Sequence, residues 1–159
     1  MIISKHFTLQ ELTKSNTATR LGIENKPNKE QIHKLRLLAA ALLQPLRNAV
    51  GPLRVSSGYR SKELNKAIGG SPNSQPCKAE AVDLQHFYRG KMHNLRIYQQ
   101  LICNDLPFDQ CILEFGGATA TKNSNNPDWI HLSYSLDYNR RQVLVAYKDV
   151  NNRTTYREL

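Results

Sequence analysis

No apolar run in the chain approaches the roughly 20 residues that a membrane-spanning helix needs, so no transmembrane segment is expected. Cysteine is scarce. Cys77, Cys103 and Cys111 form no CxxC pair and leave an odd thiol, which argues against a disulfide framework and reads as reduced, mostly core cysteine. The N-terminus, MIISKHFTLQEL, lacks the apolar core of roughly 7–15 residues and the small-residue cleavage site of a signal peptide, so a cytoplasmic location is expected. A polybasic tract is also missing. Arg140-Arg141 is the only adjacent basic pair, and with no reader motif in the chain a nucleic-acid-binding role rests on net charge alone.

What is present is a globular composition. The 159 residues are 40% hydrophobic and 22% charged, which suits one compact domain with its own core. The net charge of +9 favours polyanionic partners such as nucleic acid, anionic lipid or bacterial wall polymers, without choosing among them.

Thr8-Leu9-Gln10-Glu11 fits a capping box and predicts a short helix, and Thr13 to Asn28 reads as polar connection. Asn28 and Gln31 repeat the capping pattern ahead of Ile32, Leu35, Leu38, Leu42 and Leu46 at helical spacing, which predicts the main core helix up to Gly51-Pro52. Leu53–Ser57 alternates as a strand, and Ser61 caps a short helix to Ile68. Gly69 to Ser74 is dense in turn formers, and Gly116 to Pro127 reads as a polar loop. Ala81 to Gln85, Gln110 to Phe115, Trp129 to Tyr134 and Gln142 to Tyr147 read as strands, with a helix from about Lys91 to Asn104 and a terminal hairpin after Asp149. This order lacks regular βαβ alternation and predicts an α+β fold, a small antiparallel sheet packed with helices.

Three segments carry chemistry: SSGYRSKELN (Ser56 to Asn65), SQPCKAEAVD (Ser74 to Asp83) and PDWIH (Pro127 to His131). Together they resemble the zinc DD-peptidase family of the M15 type, which includes D-Ala-D-Ala carboxypeptidases and phage endolysins that cut between L-alanine and D-glutamate. The resemblance runs from FTLQEL through HLSY and NRRQVL and is similar to the short phage and prophage members. It implies a single Hedgehog/DD-peptidase-like domain over residues 1–159, a monomer, one zinc ion and a peptidoglycan stem peptide as substrate. Access to the wall would then depend on a holin-type or other release route.

In that family the second segment carries a histidine, six intervening residues and an aspartate, and the third an acid, two residues and a histidine. Carried across, Asp83 and His131 are metal ligands and Asp128 is the general base. Arg60 is the substrate-side arginine that steadies the oxyanion, a preorganised charge of the kind that carries much of catalysis. The first ligand position falls on Pro76, whose side chain has no donor atom, and Ala79 replaces a glycine.

A catalytic zinc takes three protein ligands and leaves a fourth position for water. Cys77, next to the lost ligand, is the chemically reasonable substitute, although neighbouring loop side chains point differently. His86 lies roughly 10 Å beyond Asp83 on the other strand face and is a weaker one. Taken singly, Asp83 is an ordinary buried acid, His131 a satisfied core histidine, Glu114 a rim residue, and Arg140 and Arg141 solvent-facing or polymer-facing cations. Two functional readings remain open: a zinc peptidase impaired at Pro76, and an inactive relative that binds wall peptides or a protein partner in the same cleft.

Overall fold

The computed structural model describes residues 1–71, 74–115 and 126–159. Residues 72–73 of the turn-rich stretch and 116–125 of the polar loop expected after Phe115 lie outside the described residues.

The N-terminal third is helical, and its caps follow the sequence. After a small antiparallel pair, β1 (Ile2–Ser4) and β2 (Phe7–Thr8), helix α1 (Leu9–Thr13) opens with both hydrogen bonds of the Thr8/Glu11 capping box. The stretch read as polar connection contains a further helix, α2 (Asn16–Leu21), capped by Ser15 Oγ and closed by Gly22 in the left-handed region at φ 66°. The main core helix starts at the Asn28/Gln31 capping box as α3 (Lys29–Leu38), widens into a π-helical turn at Ala39–Leu43 and ends as α4 (Gln44–Val50). Proline at position 45 explains the wide turn. It supplies no amide and crowds the preceding turn, so the chain changes pitch there instead of breaking.

Strand β3 (Leu53–Ser57), helix α5 (Lys62–Ala67), a 3-10 turn (Gln75–Lys78), β4 (Ala81–Tyr88) and β5 (Lys91–Met92) follow. The helix expected from Lys91 begins later, as α6 (Leu95–Cys103), because Lys91 and Met92 instead pair with Tyr88 and Phe87 in a tight hairpin. The chain closes with β6 (Gln110–Glu114), β7 (Trp129–Ser133), β8 (Gln142–Lys148) and β9 (Thr154–Glu158).

Among the described residues the larger sheet runs β3-β4-β7-β6-β8-β9, with β5 at the side of β4. The α+β expectation is met, and the sheet is antiparallel except where β6 and β8 run parallel. One face of this sheet, through Val82, Leu84, Ile130, Leu132, Cys111 and Leu113, packs with Leu35, Leu38, Leu42, Leu46, Ile97 and Leu101 of the helices into a single core. Strand alternation therefore sends the intervening residues, Asp83, His131, Ile112 and Glu114, to the opposite face, where the cleft lies.

Candidate active site

The sheet register places two of the sequence-derived site residues side by side. Asp83 on β4 pairs directly with His131 on β7, and His131 Nδ1 lies 2.9 Å from Asp83 Oδ1. A carboxylate only accepts, so in this pair Nδ1 is the ring nitrogen that carries the proton. Both side chains are mostly buried, 18% and 16% exposed. They share a cleft of about 710 Å³ with Arg60, Pro76, Glu114, Phe115, Trp129 and Tyr156. That size and the mixture of aromatic wall and convergent polar groups suit a peptide-sized ligand. The rings of Phe115 and Trp129 meet edge-on at 5.5 Å and build one wall.

Arg60 reaches the cleft because the SGYR turn is pinned from three sides. Tyr59 N donates to Leu12 O at 2.8 Å, Arg60 N donates to Pro76 O at 3.2 Å, and Arg60 Nη2 donates to Ser57 Oγ at 3.3 Å. Gly58 must be glycine here, since a Cβ would stand 2.4 Å from Leu12 O. Asn25 finishes the clamp: its Nδ2 donates to Thr13 O and Tyr59 O, and its Oδ1 accepts from Ser61 N. Asn25 lies in the stretch read as connection, and an isolated asparagine there gives no sequence signal.

Asp128 stands one residue ahead of β7, exposed and outside the cleft lining. Its backbone is fixed: Asp128 N donates to Glu114 O, and its own carbonyl accepts from Asn94 Nδ2 at 2.8 Å and Gln85 Nε2 at 3.0 Å. Glu114, read from sequence as a rim residue, instead lies in the cleft, 9% exposed. Burial raises its carboxyl, His131 lowers it and Asp83 raises it, leaving it at about 7.

Cys77 is buried and outside the cleft lining, and its Sγ accepts from Ser74 Oγ at 3.3 Å within its own turn. His86 is buried on the core side, with Nδ1 3.0 Å from Pro52 O and Nε2 without a partner among the described residues. Neither residue is brought to Asp83 and His131. Pro76, by contrast, does line the cleft, so the position expected for a third ligand is present and chemically empty of a donor. Ala79 takes the left-handed conformation anticipated for a glycine position, φ 61° and ψ 34°, closing the turn that carries Pro76.

Among the described residues no group of three or more His, Cys, Asp and Glu side chains can hold a metal ion. Asp83 and His131 therefore do not fit, by themselves, the three-ligand requirement of a catalytic zinc.

Arg140 and Arg141 are not free cations. Arg140 makes a two-pronged pair with Asp109 at 2.7 Å for each bond, and Arg141 Nη2 meets Asp105 at 2.7 Å. The acids that hold them come from the turn before β6, more than 30 positions away in the chain, which no local pattern reveals.

A family model described as Peptidase M15 matches residues 5–112. No curated protein matches the chain. The matched span contains Arg60, Pro76, Cys77 and Asp83, whereas Asp128 and His131 lie beyond it, and of these two only His131 joins the cleft, through the β4–β7 pairing.

Proposed function

The chain belongs to the peptidase M15 family, and on that premise we propose that it acts on the stem peptides of bacterial peptidoglycan, with hydrolysis impaired by Pro76. One observation carries the reading: Pro76 lines the same cleft as the Asp83–His131 pair. The cleft thus keeps the place of a third ligand without the ligand. Arg60 is the group proposed to hold the substrate carbonyl and the negative charge that develops on it, because it lines the cleft and its guanidinium is steadied by a hydrogen bond to Ser57 Oγ. Asp128 retains the proposed role of general base, with its backbone held by Glu114, Asn94 and Gln85 at the entry to β7. Zinc is the cofactor of this family, and the donor set among the described residues falls one short of the three protein ligands a catalytic zinc takes.

A second reading is favoured by the burial of Cys77 in its own turn, which leaves Pro76 without a neighbouring donor to replace it. On it, the cleft binds wall peptides and no longer cuts them. Digestion of purified peptidoglycan in excess zinc, followed by the release of new amino groups, separates the two. The impaired-peptidase reading expects slow release by the natural chain and at least about a 100-fold gain for Pro76→His combined with Ala79→Gly, the order expected when a missing metal group is restored. Sedimentation with intact sacculi and no release from either protein supports the binding-only reading. Absence of both binding and release, in a variant shown to hold zinc, contradicts both.

A further inference from the structure

A second cavity, of about 350 Å³, lies on the far side of Arg60, between the start of α2, strand β3 and helix α5. Its charged lining is of one sign. Lys14, Arg54 and Arg60 contribute to it, and no aspartate or glutamate does. Among the described residues neither Lys14 nor Arg54 forms an ion pair, although the chain has carboxylates within reach of other cations and pairs them elsewhere. Two of its hydroxyls are set to donate as well, whereas Ser56 Oγ already donates to Asp83 O. Ser57 Oγ accepts from Arg60 Nη2, and Ser15 Oγ accepts from Ala18 N, so each hydroxyl hydrogen remains available to an acceptor in the cavity. A guanidinium has five donor hydrogens in a planar fork that matches two oxygens of one anion. Three cations gathered without a counter-charge repel one another, and an anion among them removes that repulsion.

We propose that this cavity is an oxyanion subsite, taking a carboxylate or phosphate group through Lys14, Arg54, Ser57 and the outer side of Arg60. Because Arg60 lines both cavities, an anion seated here would hold a residue that also lines the cleft of Asp83 and His131. The anionic group is then part of the molecule that lies in the cleft, and this last link rests on the peptidase reading given above; the subsite itself does not.

The test uses the full chain, freed of metal with a chelator, so that neither zinc nor a wall substrate enters it. Inorganic phosphate and acetate are titrated separately, with binding read by calorimetry and by amide shifts in NMR. Saturable binding of at least one is expected, with amide shifts at Lys14, Arg54 and Ser57. Tighter binding of phosphate assigns a phosphoryl-bearing ligand, and tighter or equal binding of acetate a carboxylate-bearing one. Lys14→Gln combined with Arg54→Gln is expected to weaken binding by about tenfold or more, since charge-assisted bonds are lost. Lys29→Gln, at the exposed start of α3, is expected to bind as the natural chain does. Unchanged binding in the double variant, equal weakening in Lys29→Gln, or no saturable binding of either anion overturns the proposal. Failure of the peptidase reading would show only in wall digestion and leaves this result intact.

Discussion

Asp109 accepts hydrogen bonds from Arg140 N, Nε and Nη2 and from Gln75 Nε2, and the last of these ties the turn carrying Pro76 to the sheet. The Arg140 guanidinium, followed by the other donors, holds its carboxyl at about 2, below the ordinary 3.8. A depressed carboxyl contributes stability that is fully present above pH 3.8 and is lost as pH falls through about 2. The shift corresponds to about 2 kcal/mol for this nearly buried group. Asp109→Asn is therefore expected to lower Tm by about 4–8 °C at pH 6, and the gap to the natural chain should shrink as pH approaches 2. A gap that stays constant across that range would place the stabilisation outside the ion pair. Asp83 and His131 were legible as candidate ligands through the resemblance of the motifs around them to a known family. Asp109, Asn25 and Asn94 were not, since each acts on backbone or side chains far along the chain and carries no local pattern.

The turn at Gly58 shows how one element fixes another. A Cβ at this position would meet the carbonyl of Leu12 at 2.4 Å, and that atom belongs to α1 backbone rather than to a side chain that can swing away. Gly58→Ala is expected to destabilise the fold by about 2–3 kcal/mol through overpacking and to reduce whatever activity Arg60 supports, because Arg60 is two residues on. Thermal melting of the purified variant checks this; an unchanged Tm would mean that α1 and β3 can part at little cost. Capping boxes at Thr8 and Asn28, and strand alternation at Leu53–Ser57, announced their elements correctly because their signals are local. Helix α2 escaped notice since it has one and a half turns and little apolar periodicity, only the Ser15 and Gly22 caps marking it. The parallel β6–β8 pairing is also silent in sequence, being set by how the sheet orders strands that are not consecutive.

Across the whole molecule, the site is a product of sheet order. Residues 5–112 carry the family match and bring Arg60, Pro76 and Asp83, and the following strand β7 inserts between β4 and β6 to deliver His131 beside Asp83. The fold class was readable from the succession of patterns, and the candidate ligands from three motifs. That Glu114 lies inside the cleft, and Asp128 outside its lining, depended on the strand register and on the edge of a strand, which spacing does not fix.

Asp83 and His131 are proposed as two ligands of a zinc site whose third position is Pro76, and zinc binding to the natural chain and to the Pro76→His, Ala79→Gly variant decides whether that is so. Calorimetric titration is expected to give one zinc per chain for the variant and binding at least about 10–100-fold weaker for the natural chain. Equal, tight one-to-one binding by the natural chain would contradict the claim, as would a folded variant that gains no affinity.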